Sequence, residues 1–425
     1  MSQTTLTRSD ARDSAVLPPV KWRGPGFMAV FTLVSVLGFA LFTESGTTTF
    51  RTATGGELAE IPNTEVPTVP ALWVLTLVMA AVTGYSAYRA ARRQPLGWWP
   101  PALFGVAFVL AFLTWQGSGA TIPVTSLLTG ALALSVPLVF GSLSGVMCER
   151  SGVINIAIEG QLLAGAFLAA VVASVTTSPY LGVVAAPIAG ALVGVLLVFF
   201  SVKYWVDQII VGVVLNVLVL GVTSFFFSTV LSENPDLNQR QRLPSLPVPL
   251  LSDIPVIGPV LFDQNILVYL MYVAVIALQF FLFRSRWGLR VRAVGEHPKA
   301  ADTVGIDVIR TRWVTPILGS ALAGLGGAFF TVGSGLAFGR DMSAGNGFIA
   351  LAAMILGRWN PLGALAAALL FGFSRNLANM LSAMGGSGIP GEFLLMLPYV
   401  VTIFAVAGFV GRVRAPAAEN TPYVK

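Results

Sequence analysis

Long apolar runs alternate with short polar segments along almost the whole chain. A run of about 20 apolar residues can cross the roughly 30 Å hydrocarbon core of a bilayer as an α-helix. The pattern predicts an all-α polytopic membrane protein with about 10–12 transmembrane helices. A cleaved signal peptide is the alternative for the first segment, but a long polar stretch precedes it. The candidate segments are residues 27–43, 71–88, 99–115, 124–143, 154–175, 181–200, 208–231, 265–283, 314–333, 346–356, 362–381 and 393–409.

One of these segments is too short to cross a bilayer as a helix. Residues 346–356 would form a helix of about 16 Å, at about 1.5 Å per residue, or roughly half of the hydrocarbon core. Glycines lie on both sides of it, and Pro361 follows. We therefore predict either a half-helix completed by irregular chain or a re-entrant piece.

The short segment belongs to a faint internal repeat. Residues 152–157 (Gly-Val-Ile-Asn-Ile-Ala) are similar to residues 345–350 (Gly-Asn-Gly-Phe-Ile-Ala), and Leu-Gly-x-x-Ala-Ala follows each of them. The predicted topology runs the first copy outward and the second inward. Interrupted helices in inverted halves indicate a substrate site near the membrane midplane. Chance similarity is the alternative, because Gly, Ala and Leu dominate any membrane helix.

The few charges of the chain predict its orientation. Charged residues make up 10% of the sequence, far below the roughly 25% of soluble domains. Lys and Arg collect near both ends and in residues 284–313, so the positive-inside rule predicts that both termini and this loop are cytoplasmic. The predicted parts are a cytoplasmic tail (1–26), N-terminal spans (27–120), a core with the basic loop (121–411) and a second cytoplasmic tail (412–425).

Residues 149–160 (Glu-Arg-Ser-Gly-Val-Ile-Asn-Ile-Ala-Ile-Glu-Gly) place polar groups where an apolar segment should continue. Ionisable groups at membrane depth are costly and usually face a cavity or a partner. The predicted helix dipole places its positive end near Asn155 and Glu159, where free N–H groups suit a polar ligand or a gate. The alternative is a short cytoplasmic loop in which Glu149 and Arg150 pair in water.

Other spans contribute further candidates for a substrate pathway. Arg375 could bind a polar substrate or pair with Glu159 or Glu392, or its side chain could extend to an interface. The remaining candidates are polar or aromatic residues within predicted spans: Asn216, Asn346, Phe348 and Asn376.

The basic loop contains a predicted short helix. Pro298 is suited to the first helical position, Lys299–Thr303 would form the helix, and Gly305 would end it. An exposed short helix on the inner face can dock in a groove of another protein. A solvated loop that merely obeys the positive-inside rule is the alternative.

Residues 149–160 resemble the first signature block of bacterial ABC-importer permeases for nucleosides and simple sugars, a branch related to ribose and branched-chain amino-acid permeases. Glu159 stands where the amino-acid branch has His, so the nucleoside branch fits best. Residues 357–372 resemble a third block, with Gly-x-x-x-Pro-x-Gly after a short helix. The basic loop resembles the coupling loop of that family, in which the matching positions contact the ATP-binding subunit. Those positions are Gly295, Glu296, His297, Pro298, Ala300, Ala301 and Gly305.

The resemblance implies a transmembrane subunit of an ABC importer, with no cofactor bound by this chain and ATP-Mg on a partner subunit. It implies three protein partners: the ATP-binding subunit, a second and distinct permease, and an extracytoplasmic substrate-binding lipoprotein. The cargo would be a nucleoside, with a simple sugar as the alternative.

The sequence itself excludes several other functions. Cys148 and His297 are the only residues of their types, and none of the four lysines follows a glycine, so neither a His or Cys metal cluster nor a phosphate-binding loop can form. No catalytic constellation indicates an enzyme, and no basic patch with aromatic residues indicates nucleic acid. An ion-coupled secondary transporter is the main alternative; it would depend on Glu159 and Asp207.

Overall fold

The computed structural model describes residues 22–53, 61–384, 396 and 414–424. Within them, ten helices are long and apolar enough to cross a membrane, which confirms a polytopic all-α protein. The predicted span 393–409, Glu392 and most of the N-terminal tail lie outside the described residues. The chain forms two compact units, one of residues 1–51 and 63–122 and one of residues 52–62 and 123–425.

The first unit contains three helices and a small sheet. The helices are α1 (Arg23–Val34), which continues as a π-helix to Ala40, α2 (Thr68–Ala91) and α3 (Trp99–Gln116). Strand β1 (Thr47–Arg51) pairs antiparallel with β2 (Thr64–Pro67), and β3 (Thr121–Pro123) lies on its other side. The connection between the first two predicted spans therefore contains a hairpin. Buried Thr48 joins this hairpin to the helices through hydrogen bonds with the Thr68 hydroxyl and the Thr114 carbonyl.

The described residues of the second unit form ten α-helices. Two short strands, β4 (Ser245–Pro247) and β5 (Asp263–Asn265), pair within the connection between α7 and α8. The helices are α4 (Val124–Arg150), α5 (Ile158–Thr176), α6 (Pro179–Val198), α7 (Gln208–Phe226), α8 (Ile266–Arg284), α9 (Arg286–Glu296), α10 (Pro298–Thr303), α11 (Val308–Gly327), α12 (Asn346–Leu356) and α13 (Pro361–Met384).

Helix α4 is at the centre of the second unit. In its most apolar window, 89% of the residues are buried, against 28% in the span that contains α7. Helices α11, α12 and α13 pack on it, and its buried Phe140 and Leu143 share one core cluster with Phe371 of α13. A helix that is apolar on all sides and surrounded by other helices is typical of the middle of a bundle.

Glycines bring α5, α6 and α11 into backbone contact. A Cβ on Gly324 of α11 would lie 2.4 Å from the Ala186 carbonyl oxygen of α6, and a Cβ on Gly165 of α5 would lie 2.1 Å from the Gly324 carbonyl oxygen. Small residues at such interfaces let membrane helices approach closely and gain van der Waals contact. These three helices therefore form a tightly packed group.

Some predicted boundaries were wrong. Helix α5 begins at Ile158, four residues after the predicted start, because residues 151–157 are irregular. The basic loop is largely helical, since α9 fills its first part and α11 begins at Val308, before the predicted Val314. The short helix α10 at Pro298–Thr303, ended by Gly305 with a φ of +82°, is confirmed.

Candidate substrate pathway and coupling site

The irregular residues 151–157 leave backbone groups that two side chains of α7 satisfy. Backbone groups without partners are very costly inside a membrane. The Gln208 Oε1 atom accepts a hydrogen bond from the Ile154 N–H at 2.7 Å. The Asn216 side chain accepts from the Gly160 N–H at 2.8 Å and donates to the Ile156 carbonyl at 2.9 Å. The predicted pathway residue Asn216 thus holds the start of α5 in place.

Asn155 belongs to the irregular residues 151–157, and its side chain lies in a closed polar cluster. Its side chain donates to the Ser144 hydroxyl of α4 and exchanges hydrogen bonds of 3.0 Å with Gln161 of α5. Gln161 also donates to the Ser320 hydroxyl of α11 at 2.9 Å. All four side chains are fully buried. Each polar group has a partner inside the cluster. The cluster therefore joins α4, α5 and α11 and does not face an open cavity.

Glu159 joins the starts of two helices. It lies in the first turn of α5, and its carboxylate accepts hydrogen bonds from the backbone N–H groups of Gly345, at 2.8 Å, and Gly347. Those N–H groups are at the start of α12. A carboxylate is favourable there because it satisfies free donors and meets the positive end of the helix dipole. Gly347 must be small, since a Cβ would lie 2.4 Å from the Glu159 nitrogen.

Two further predicted residues extend this contact. The Arg375 guanidinium donates to the Asn346 side-chain oxygen at 2.7 Å, and the Asn346 amide donates to the Ser343 carbonyl at 2.6 Å. Arg375 therefore bonds to an amide of α12 and not to Glu159, and its other proposed partner, Glu392, lies outside the described residues. Glu159, Asn346 and Arg375 form one continuous group around the start of α12.

The helices α5 and α12 leave their meeting point towards different ends of the bundle. At the far end of α5, the Ser174 hydroxyl accepts a hydrogen bond from the Gln239 N–H in the connection before α8. Beyond the far end of α12, the indole of Trp359 bonds to Glu149 at the end of α4. The eleven-residue α12 is the predicted half-helix. This geometry agrees with two interrupted segments that run in opposite directions.

The last two predicted pathway residues lie apart from this group. The Asn376 amide donates to the Leu127 carbonyl of α4 at 2.8 Å, so it joins α13 to α4. Phe348, in the first turn of α12, has 51% of its surface exposed. Sequence reasoning missed Gln161 and Gln208, although each is a polar residue in an apolar run, the same signal that selected Asn216.

The three sequence blocks meet at one place, which we call the Glu149 junction: Glu149, Arg150, Gly295 and Trp359. Buried Glu149 accepts a hydrogen bond from the Trp359 indole N–H. The Arg150 guanidinium donates to the Trp359 carbonyl at 3.1 Å. A Cβ on Gly295 would lie 2.2 Å from the Arg150 carbonyl oxygen, so only glycine fits. Glu149 is therefore not the water-exposed partner of Arg150 that the alternative interpretation required.

The predicted coupling residues divide into an inner and an outer set. Ala301 is 3% exposed and packs with Val294 and Val308, and Gly295 is buried against Arg150. Pro298 is half-buried. Ala301 and Gly295 hold α10 on the bundle and are not accessible to a partner, whereas Pro298 keeps part of its surface accessible. The outer set, which is exposed, consists of Glu296, His297, Ala300 and Gly305.

Comparison with known proteins identifies the family. Residues 127–406 match the family model described as "Branched-chain amino acid transport system / permease component". The chain belongs to this permease family. All three sequence blocks lie inside the matched residues, whereas the first compact unit lies outside them. No solved structure matches the chain.

Three relatives within this family are permease proteins of nucleoside or guanosine transporters. The guanosine ABC transporter permease protein NupQ of Bacillus subtilis is 38% identical over 309 residues, which are 69% of this chain and 95% of NupQ. The nucleoside ABC transporter permease protein NupC of Lactococcus lactis is 41% identical over 305 residues, 69% of this chain and 95% of NupC. The guanosine permease protein NupP, also of Bacillus subtilis, is 28% identical over 284 residues, 65% of this chain and 80% of NupP.

The chain is therefore the permease subunit of an ABC importer, a multi-pass membrane protein and not an enzyme. This family works with a separate ATP-binding subunit, which confirms the prediction that ATP is hydrolysed on another chain. The family also implies a second permease subunit, as the two guanosine permease proteins of Bacillus subtilis illustrate.

Proposed function

We propose that this chain carries a nucleoside inward across the cytoplasmic membrane, with a related but distinct permease as its partner. The observation that carries the proposal is the 38% and 41% identity to guanosine and nucleoside permeases over almost their whole length. An extracytoplasmic binding lipoprotein would deliver the cargo. Both termini, the first tail (1–26) and the last (412–425), would lie in the cytoplasm, as the basic clusters predict.

The pathway proposed for the cargo passes the meeting point of α5 and α12. Half-helix starts near a membrane midplane offer N–H groups and positive dipole ends to a polar solute. Glu159 occupies these donors in the state described here. Arg375, Asn346 and exposed Phe348 would supply polar and aromatic contacts beside them, whereas Asn155, Asn216 and Asn376 would hold the helices that form the pathway.

The proposed contact with the ATP-binding subunit is the outer set of α10. Glu296, His297 and Ala300 are exposed there, and Val304, just after the helix, has 74% of its surface exposed. A small apolar end on a short helix suits a groove in another protein. Its movement would reach the Glu149 junction through Gly295, which packs directly on the Arg150 carbonyl.

Uptake by the reconstituted complex tests this function. The chain, its partner permease, the ATP-binding subunit and the binding lipoprotein would be placed in vesicles, and uptake of labelled guanosine and glucose would be measured with and without ATP. We expect ATP-dependent guanosine uptake that other nucleosides inhibit. Uptake of glucose alone would shift the substrate to sugars. Uptake that persists without ATP and follows an ion gradient would favour the secondary transporter.

A further inference from the structure

The last described residues, 414–424, pack on the segment that contains α9 and α10. The Ala418 N–H donates to the Gly295 carbonyl at 2.9 Å, and the Ala417 N–H donates to the Glu296 carboxylate at 3.3 Å. Tyr423 packs with the cluster that contains Ala301. The end of the chain is thus bound to both sides of the junction between the two helices.

Arg312 fixes this segment to α11. Its guanidinium donates to the Thr421 carbonyl at 2.7 Å and to the Ala418 carbonyl at 3.2 Å, and the side chain is only 2% exposed. A buried cation is costly unless its donors find acceptors, and hydrogen bonds from a charged donor are among the stronger ones. Two backbone carbonyls of the C-terminal segment supply acceptors for the two terminal nitrogens of Arg312, while its buried Nε has no partner among the described residues, so the segment covers the charged end of this side chain.

The same segment reaches two further helices. The Asn420 amide donates to the Asp207 carboxylate at 3.1 Å, and its oxygen accepts from the Gln208 N–H at 3.4 Å, at the start of α7. The carboxyl groups of Glu419 and Glu149, at the end of α4, share a hydrogen bond in which one of them carries the proton. Gln208 bonds to the irregular residues before α5, and Glu149 bonds to the turn after α12.

We propose that residues 416–423, the coupling strap, transmit the movement of α10 to the core during ATP-driven transport. The strap contacts the α9–α10 segment, α11, α7 and α4 within eight residues. A displacement of Gly295 and Glu296 would therefore move Asp207, Glu149 and Arg312 together, where α10 alone would move only its neighbours. This inference rests on the proposed role of α10 as the contact with the ATP-binding subunit.

The test compares three variants of the full chain in the assembled complex. One lacks residues 415–425, and the second is Asn420→Ala, which removes the bonds to α7. The matched control is Thr421→Ala, because Arg312 uses the backbone carbonyl of Thr421, and the exposed Thr421 hydroxyl bonds to the Glu419 carbonyl inside the strap and not to a helix. Recovery of the ATP-binding subunit, ATP hydrolysis and uptake are measured separately.

We expect the shortened variant to retain the ATP-binding subunit and ATP hydrolysis while uptake per ATP falls about tenfold, a typical coupling factor. Asn420→Ala should lose roughly threefold on the same scale, and Thr421→Ala should equal the wild type. Wild-type uptake per ATP in the shortened variant would overturn the proposal. So would selective loss of the ATP-binding subunit, because the strap would then be a docking surface.

Two results separate the strap from the function on which it rests. If the shortened variant does not accumulate in the membrane, Asn420→Ala decides alone, and unchanged uptake per ATP in that variant rejects the strap. Ala300→Asp, on the exposed face of α10, tests the coupling contact itself. Intact transport in Ala300→Asp would reject the role of α10, whereas impaired transport there with normal Asn420→Ala would reject only the strap.

Discussion

The carboxylate of Glu149 accepts a hydrogen bond from the indole N–H of Trp359, 210 residues further along the chain. This bond joins the end of α4 to the turn after α12. Both Arg358 and Trp359 have positive φ values, 57° and 52°, although neither is glycine. A bulky residue in this conformation is strained and persists only where its surroundings hold it. The bond to Glu149 is part of what holds it.

A double-mutant cycle measures this bond. Trp359→Phe keeps an aromatic ring and removes the donor, and Glu149→Gln replaces the carboxyl by an amide that keeps only one acceptor oxygen. We expect each single change to destabilise the purified protein, and the pair to show a coupling energy of about 0.5–3 kcal/mol, as contacting residues do. Thermal unfolding in detergent provides the measurement. Strictly additive effects would mean that the two side chains act independently.

Replacement of Glu159 should loosen the start of α12. A carboxylate offers two acceptor oxygens to the N–H groups of Gly345 and Gly347, whereas Glu159→Gln offers one acceptor and one donor. Loss of one such hydrogen bond in a buried site should cost about 1–3 kcal/mol. Guanosine uptake should fall by about fivefold or more, since 1.4 kcal/mol corresponds to a factor of ten.

Glu233→Gln is the matched control for this change, because Glu233 is exposed in the connection before α8. It should leave uptake unchanged. Unchanged uptake in Glu159→Gln would remove Glu159 from the mechanism and leave it as a structural cap. Lost uptake with unaltered thermal stability would instead favour a direct contact between Glu159 and the cargo.

The membrane spans were predictable because their signal is local. Apolar length located all ten full-length spans found among the described residues, and Asn265, at the predicted start of the eighth, caps α8 by accepting from the Leu267 N–H. The ends of the spans were less predictable: α11 begins six residues early, and α4 extends seven residues past its predicted end, through Glu149 and Arg150. Glu149 is buried against Trp359, and Arg150 is half-buried beside Trp359 and Gly295, partners that are far away in sequence and carry no local signal.

The partners of the candidate site were not predictable for a related reason. Glu159 was expected to meet Arg375, yet it bonds to two backbone N–H groups, which every residue except proline possesses. Arg312 was assigned to a cytoplasmic loop because the positive-inside rule counts charge and takes no account of burial. Its acceptors belong to residues 416–423, which have no apolar period that would predict packing.

Opposite faces of α10 should respond differently to the same substitution. Ala300 is exposed, whereas Ala301 packs inside the bundle with Val294 and Val308. Ala300→Asp should leave the purified chain as stable as the wild type and reduce recovery of the ATP-binding subunit. Ala301→Asp buries a carboxylate without a partner, so it should lower the unfolding temperature before any partner is added. If Ala300→Asp and Ala301→Asp gave the same recovery of the ATP-binding subunit and the same unfolding temperature, the assignment of one exposed and one buried face to α10 would be wrong.

The docking of the coupling strap should weaken as the pH rises. Burial raises the pKa of Glu419 above its ordinary value of 4.5, and the hydrogen bond with Glu149 opposes this in part. Docking favours the protonated carboxyl, so its contribution is complete below the ordinary pKa and is lost as pH rises through the raised pKa. Glu149 is the carboxyl that faces it from α4, and Arg312 contacts the adjacent strap carbonyls.

Hydrogen exchange at residues 416–423 measures this effect. At each pH from 5 to 8, the wild type is compared with Glu419→Gln, so the intrinsic pH dependence of exchange cancels. Protection of the wild type relative to the variant should decline as pH rises. A constant ratio across the range would show that Glu419 does not control docking.

The contact between α6 and α11 provides the strongest test of the packing. A Cβ on Gly324 would overlap the Ala186 carbonyl oxygen and lie 2.9 Å from the Gly190 Cα, and both atoms belong to the backbone. Side chains could adjust to a new methyl group, but here two helices must separate. Gly324→Ala should therefore destabilise the protein by about 3 kcal/mol, the upper end of usual overpacking costs.

Gly221→Ala separates packing from helix preference. Gly221 lies in α7 and has no heavy atom within 4 Å of the position that its Cβ would take. Both substitutions change glycine to alanine inside a helix, so any effect of helix propensity is common to them. We expect Gly221→Ala to have a normal unfolding temperature and normal uptake. Gly324→Ala should have a lower unfolding temperature and lower uptake. Equal stability of the two variants would mean that α6 and α11 are not in backbone contact. Because Gly324 also touches Gly165 of α5, a separation there would displace the helix that carries Glu159, so uptake should fall before the fold is lost.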